Sequence, residues 1–158
     1  LGDKEALARH YADELSRAKT SGRKIFLLSV LAQIHAGDRD PSSSIKYLVP
    51  LLQERPEHLA SVQLLARQLS RAGRTTDVLR VTEQEIKLTL SPGRRARLLH
   101  RAGELALEQG DRSKARACFE ESLACIDDYE PSLAKLEAVL REDGDFLALL
   151  MLLRKRLM

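Results

Sequence analysis

The sequence predicts an all-α fold built from repeated antiparallel helix pairs, and three observations carry this prediction. Leu and Ala recur with Glu, Arg and Lys, a mixture that favours helix over strand. Apolar residues follow a helical period along most of the chain. Five glycines recur at intervals of 34 to 37 residues: Gly2, Gly37, Gly73, Gly110 and Gly144. Repeats of this length are typical of helix pairs that bury their apolar faces against neighbouring pairs.

The glycines divide residues 1–158 into a single array that starts and ends with an incomplete repeat. Residues 2–21 are predicted to form the second helix of a truncated repeat. Full helix pairs are predicted over 23–56, 59–92 and 96–129, with a last, incomplete pair over 130–158. We therefore expect the chain to be a segment of a longer protein.

Each turn has a local reason to form where the glycines lie. A glycine ends a helix well because it adopts left-handed backbone angles without penalty, and an Asp directly after it can cap the next helix. Gly73 is followed by Arg74 instead of Asp. After Gly37 the apolar pattern resumes two residues late, which predicts a small insertion within residues 39–43. Pro50 interrupts a helical pattern and predicts a kink over 46–50.

Composition and motifs exclude several classes of function. The net charge of +3 is too small for a polycation, and no phosphate-binding glycine loop, nucleophile elbow or zinc-type cluster is found. His100 and Glu104 are spaced to share a metal but offer only two ligands. Cys118 and Cys125 lie two turns apart, too far for a disulfide. We expect no enzymatic activity, no cofactor, no metal and no membrane span, and a cytoplasmic protein whose leader, if any, would lie outside this segment.

Residues 99–122 carry a resemblance to a known family. Gly103, the Gly110-Asp111 turn, Ala115 and Phe119 match the small, turn and aromatic positions of the tetratricopeptide repeat (TPR), and neighbouring units match in degenerate form. The chain resembles a segment of a larger bacterial-type TPR protein. The resemblance implies a right-handed α-solenoid whose concave groove is lined by the first helices. It also implies an adaptor that binds peptides, helices or folded partners, although fold alone does not fix function.

Residues of the first helices that point away from the core are the candidate partner-binding residues. Counting back from each glycine and adding neighbouring arginines gives Leu27, Leu31, His35, Gln63, Arg67, Arg71, Arg97, His100 and Arg101. The four arginines could hold carboxylates through paired N–H donors, which predicts an acidic partner; a solvated basic face is the simpler interpretation. The apolar leucines predict cover by a partner or by a further repeat.

Two other functions stay open at this point. Pentatricopeptide repeats are helix pairs of similar length that bind RNA, and the middle of this chain is basic. However, Leu27, Gln63, His100 and Ala134 occupy one repeated position and share no chemistry, so nucleic acid is the less favoured partner. The last helix would leave Leu147, Leu150, Met151 and Leu157 exposed, which predicts either the interior of a longer array or a homo-oligomer through this helix.

Overall fold

The computed structural model describes residues 2–156, which form nine α-helices and no strands. The helices are α1 (Gly2–Arg17), α2 (Ser21–His35), α3 (Ser42–Glu54), α4 (Leu59–Arg71), α5 (Thr75–Leu88), α6 (Pro92–Glu108), α7 (Arg112–Cys125), α8 (Glu130–Glu142) and α9 (Phe146–Arg156). The predicted all-α fold is confirmed. Leu1, Leu157 and Met158 lie outside the described residues, and so does the predicted exposure of Leu157.

The chain divides into two compact units, and the boundary lies inside α5. Unit 1 runs up to Val81 and unit 2 starts at Thr82. In unit 1, α1 packs on α2, α2 on α3 and α3 on α4; in unit 2, α6 packs on α7, α7 on α8 and α8 on α9. The partition of the chain into repeats of one array stays a prediction. None of the described helices is long and apolar enough to cross a bilayer.

Three of the predicted turns have the expected backbone. Their glycines adopt left-handed angles, with φ of 68° at Gly73, 79° at Gly110 and 72° at Gly144. The Asp111 side chain accepts a hydrogen bond from the Lys114 N–H at 3.0 Å, and Asp145 accepts one from the Ala148 N–H at 3.1 Å. These aspartates cap α7 and α9 and offset the positive end of each helix.

The connection between α2 and α3 differs from the other turns. Gly37 does not adopt a positive φ, so the expected left-handed glycine is wrong here. The connection is longer, and Asp40 replaces Asp38 as the residue that accepts the Ser42 N–H, at 2.9 Å. A longer connection spreads the chain reversal over several residues, so no single residue has to take left-handed angles. Downstream, α3 continues through Pro50.

Charged side chains tie these turns to neighbouring helices. In unit 1, the Lys4 ammonium lies 2.5 Å from Asp38. In unit 2, Arg112 contacts Glu142 at 2.6 Å and Asp143 at 2.7 Å, and these hydrogen bonds raise the pKa of the Arg112 guanidinium. Each of these cations lies on the second helix of a predicted repeat. It contacts the turn that follows the first helix of the next repeat.

Unit 1 has a core of aliphatic side chains from α2, α3 and α4. The large members with at most 1% of their surface exposed are Leu27, Leu31, Leu48, Leu51 and Val62. Side chains at helical spacing on three consecutive helices meet in this core, so the apolar stripe of each helix is covered by its neighbours.

Unit 2 is organised around a close approach of α6 to α7. Phe119 of α7 has no exposed surface and packs against Gly103 of α6. A Cβ atom added at Gly103 would lie 2.5 Å from Cε1 of the Phe119 ring, closer than real Cβ atoms come. The glycine is therefore required by packing, because its missing side chain lets the aromatic ring lie against the α6 backbone.

We predict that Gly103→Ala lowers the free energy of unfolding by about 1–3 kcal/mol, because the fully buried Phe119 ring has no room to move away. Gly93→Ala is the matched control, since its new Cβ would meet only Ile126 Cδ1 at 3.9 Å. Urea denaturation followed by circular dichroism measures both. A Gly103→Ala variant as stable as the control would contradict the packing argument.

Candidate interaction surfaces

Two of the predicted residues of unit 1 lie in the core. Leu27 and Leu31 have no exposed surface because α3 and the rest of unit 1 cover them. The prediction that they form an accessible apolar surface is corrected: these two positions of α2 face the core of unit 1. Gln63 on α4 is half-buried.

The side chain of Arg71 on α4 is hydrogen-bonded to the connection between α2 and α3. Its guanidinium donates to the Ala36 carbonyl at 3.0 Å, to the Asp38 carbonyl at 2.6 Å and to Gln68 Oε1 at 2.8 Å. Gln68, 1% exposed, donates to the same Ala36 carbonyl at 3.0 Å. Arg67, one turn earlier, is exposed and forms no ion pair with any residue described. Of the two α4 arginines, only Arg67 has a guanidinium free for a ligand.

His35 is part of a cluster at the end of α2. Its Nδ1 lies 2.6 Å from Asp38 Oδ2, and its ring stacks on Tyr47 with centroids 5.6 Å apart. Hydrogen bonds from Lys4 and His35 lower the pKa of the Asp38 carboxyl. His35 therefore lies beside α3, among residues that the sequence analysis did not associate with binding.

In unit 2, α6 and α8 lie side by side in parallel register. His100 Nδ1 is 3.2 Å from Ser132 Oγ, and one turn further along Glu104 is 3.8 Å from Lys135 Nζ. We name the surface along these helices the α6–α8 face. It exposes two arginines of α6 and two small residues of α8: Arg97, Arg101, Ala134 and Ala138. Small side chains beside arginines leave a shallow surface with a cationic edge.

His100 belongs to a buried chain of hydrogen bonds under this face. Ser122 Oγ donates to the Ala96 carbonyl at 2.9 Å, and Ser132 Oγ donates to Ser122 Oγ at 2.8 Å. Because the Ser132 hydroxyl proton is used in this way, Nδ1 of His100 donates to Ser132 Oγ. With 15% of its side chain exposed, His100 links α6 to α8 and is not placed to act as a surface ligand.

Burial is also the main electrostatic influence on His100. It lowers the pKa of the imidazole below its ordinary 6.5, Lys135 and Arg101 lower it further, and Glu104 raises it. The neutral form is therefore favoured in the folded chain. Arg101, in turn, makes a loose ion pair with Glu104 at 3.5 Å.

The predicted binding residues lie on first helices, whereas the described cavities lie along second helices. In unit 2, a groove of about 430 Å³ includes residues from the end of α5 and from α7. It is bridged by Lys114 and Glu83 at 2.5 Å. Cys118 lines this groove, and burial raises the pKa of its thiol to about 11. The thiol stays protonated at neutral pH, so it has no thiolate to act as a nucleophile.

Unit 1 holds a larger cavity, which we name the α1–α3 groove. Its volume is about 660 Å³, and its lining includes Lys4, Arg9, His35, Lys46 and Tyr47. Of these, only His35 was among the predicted residues. The sequence signal that could have indicated the groove is a pair of alanines one turn apart on α1.

No group of three or more His, Cys, Asp or Glu side chains within residues 2–156 is arranged to hold a metal ion. Both cysteines are free and half-buried. His100 and Glu104 do lie on one face of α6, but with Lys135 and Arg101 as neighbours.

The helix pairs, the left-handed glycine turns and the Gly103–Phe119 contact define a TPR-like fold of the α-solenoid class. Solved structures of several proteins share it. The crystal structure of MamA matches with a TM-score of 0.62 and 14% identity, over 99% of this chain and 88% of MamA.

Two further structures show the same fold. A Podospora anserina protein described as a kinesin light chain with nearly identical TPR-like repeats matches with a TM-score of 0.58 and 17% identity, over 98% of this chain and 85% of that one. Pseudomonas aeruginosa pilF matches with a TM-score of 0.57 and 14% identity, over 96% of this chain and 74% of that one. No protein-family model and no curated protein sequence matches the chain. At these identities the likeness defines the fold alone.

We predict a pH dependence of stability that originates at His100. Because its pKa is lowered by folding, the unfolded chain takes up a proton first as the pH falls below 6.5, and the folded state loses stability in that range. The free energy of unfolding should therefore fall between about pH 7.5 and pH 5.5, and His100→Gln should make that fall smaller. Proton NMR of the imidazole tests the cause directly: titration of His100 at or above its ordinary pKa would contradict it.

Proposed function

We propose that this chain is a non-enzymatic interaction scaffold that binds an acidic segment of a protein partner on the α6–α8 face. The observation that carries the proposal is the exposure of Arg97 and Arg101 on α6 and of Ala134 and Ala138 on the neighbouring helix α8. The alanines leave room for a partner's backbone, and the arginines supply donors at its edge.

The two arginines are available to a partner to different degrees. Arg97 forms no ion pair with any described residue. Arg101 lies 3.5 Å from Glu104, a loose contact between half-exposed groups that contributes little to stability and that a partner's carboxylate can replace. A bidentate pair between each guanidinium and a carboxylate would give both affinity and orientation.

An acidic protein segment fits this face better than RNA does. Glu104 lies 3.5 Å from Arg101 and 3.8 Å from Lys135 of α8. A continuous phosphate backbone would be repelled by this carboxylate, whereas an isolated Asp or Glu side chain can avoid it. Pentatricopeptide-like RNA binding is therefore the less favoured function.

The two cysteines indicate the cellular compartment in which the protein works. Cys118 and Cys125 are free thiols, which fits a reducing environment. On that ground we propose a cytoplasmic location.

The test is the selection of peptide ligands against the wild-type chain, with counter-selection against Arg97→Glu/Arg101→Glu. We expect the recovered peptides to be rich in Asp and Glu. Fluorescence anisotropy should show binding at least about ten-fold weaker to the variant than to the wild type, equivalent to about 1.4 kcal/mol. The affinity should also fall as salt is added.

The matched control is Lys87→Glu/Arg95→Glu, which makes the same change in charge along the groove of about 430 Å³ in unit 2. It should bind the selected peptides as the wild type does. Loss of binding in the control with retention in the α6–α8 variant would move the site to that groove. Tighter, salt-sensitive binding of mixed-sequence single-stranded RNA would favour the RNA-binding alternative.

A second candidate function is self-association through α9. One side of this helix is covered, with Leu149 buried. The other side exposes four large apolar residues: Phe146 (70%), Leu147 (67%), Leu150 (65%) and Met151 (63%). A contiguous apolar surface of this kind is typical of a protein interface.

For this candidate we predict a mass that rises with concentration in light scattering, because burial of these residues drives association. Leu147→Glu/Leu150→Glu should give a monomer. Leu90→Glu is the control, since Leu90 is an isolated residue with 95% of its surface exposed, and it should associate like the wild type. A constant monomer mass for the wild-type chain would exclude self-association.

A further inference from the structure

The α1–α3 groove of unit 1 continues beyond the first cavity. A second cavity of about 550 Å³ includes Leu15, Leu28 and Pro50 in its lining, and both cavities are lined by Lys46 and Tyr47. The two cavities therefore adjoin at Lys46 and Tyr47, and both are included in the α1–α3 groove. From Lys4 to Leu15 it follows α1 for about 16 Å, which accommodates about five residues of extended chain.

Small side chains on α1 create this space. Ala8 and Ala12 lie one turn apart and line the groove. Both α1 and α3 pack on α2, whose residues His35 and Leu28 also line the groove. Longer side chains at Ala8 and Ala12 would fill the gap that α2 leaves between its two neighbours.

Three cations line this groove without a carboxylate partner: Arg9 and Lys46 in the first cavity, and Lys24 in the second. The Arg9 guanidinium on α1 reaches only the Glu5 carbonyl, at 3.4 Å. The Lys46 ammonium on α3 lies over the Tyr47 ring, 4.7 Å from its centroid. None of the three forms an ion pair within residues 2–156. Two positive charges that line one cavity repel each other, and an anion between them removes that repulsion.

The neighbouring Lys4 and His35 are already paired and keep this end of the groove in place. Asp38 contacts Lys4 at 2.5 Å and His35 at 2.6 Å, so its negative charge is used by these two groups. His35 in turn stacks on Tyr47, which positions the ring beneath the Lys46 ammonium. In the first cavity, Arg9 and Lys46 are thus the cations left for a ligand.

The other end of the groove carries an apolar strip. Leu15 on α1, Leu28 on α2 and Pro50 on α3 line it, beside polar side chains that include Lys24 and Glu54. The groove therefore presents donors for an anion at one end and a surface for an aliphatic side chain at the other.

We infer that the α1–α3 groove binds a short extended protein segment. A Glu or Asp carboxylate of that segment lies between Arg9 and Lys46, and an aliphatic side chain two or three residues away contacts Leu15 and Pro50. A nucleic acid fits less well, because Glu5 and Glu54 also line the groove and would repel a continuous phosphate backbone. This site is in unit 1 and does not depend on the α6–α8 face of unit 2.

The experiment is a titration of the ¹⁵N-labelled full chain with an acetylated, amidated peptide of sequence Glu-Glu-Ser-Leu-Leu, followed by amide NMR. A peptide with Gln in place of Glu is the matched control ligand. We expect saturable shifts along α1 and α3 with the first peptide, and at least about ten-fold weaker binding of the second.

Three variants of the chain separate the effect of charge from the effect of space in the groove. Arg9→Gln/Lys46→Gln removes the anion site and should weaken binding about ten-fold or more. Arg17→Gln/Lys19→Gln removes the same charge from exposed positions outside the groove and should leave the affinity unchanged. Ala12→Leu keeps every charge but fills the groove, and should also weaken binding. Circular dichroism establishes that each variant is folded.

Three results would overturn the inference. The first is the absence of saturable shifts at millimolar peptide. The second is equal weakening by the two charge variants, which would show general electrostatic attraction. The third is tighter binding of mixed-sequence single-stranded RNA to the same residues. Arg97→Glu/Arg101→Glu should not change the shifts along α1 and α3, so a failure here is distinguishable from a failure of the α6–α8 proposal.

Discussion

Burial of apolar side chains between consecutive helices is the interaction on which the rest of the structure depends. In unit 1 and in unit 2, each helix makes its extensive contacts with the helix before or after it. There is no sheet in residues 2–156 to supply hydrogen bonds between elements. The helices are therefore positioned by side-chain shape, and a contact such as Gly103 against Phe119 decides how closely two of them approach.

The turns show that a charged side chain can be fully hydrogen-bonded within the fold and therefore be unable to bind a ligand. Arg71 donates to two backbone carbonyls of the α2–α3 connection, and Arg112 contacts the acidic residues at the end of α8. A guanidinium in such a position satisfies carbonyl and carboxylate groups that the helix ends leave open. The number of arginines on a helix therefore overstates the number that a ligand can reach.

The sequence was sufficient to predict the helices and most turns, but not to predict which surfaces are accessible to a partner. Helix formation and the glycine turn at Gly110 depend on local residues, and these are visible in the chain. Exposure depends on what a neighbour covers. The position of Leu27 on a first helix could not show that unit 1 encloses it, and the α1–α3 groove depends on the distance between two helices that are separated in sequence by α2.

The dependence of exposure on neighbouring helices also explains why adjacent predicted residues differ in burial. His100 and Arg101 are adjacent in sequence and were predicted together, but one side chain points to Ser132 and the other to the surface. A rotation of about 100° per residue along a helix separates them. The helical period can assign such positions to the core or to the surface only when the side of the helix that faces the core is known. For α6, that side is set by the packing of α7 and α8.

The chain of hydrogen bonds from His100 through Ser132 and Ser122 to the Ala96 carbonyl has a consequence for how this sequence can change. Each member satisfies the next, and the loss of one leaves a buried polar group without a partner. Replacement of all three side chains by apolar ones costs less than replacement of one. Among related chains, these three positions should therefore vary as a set: either polar together or apolar together.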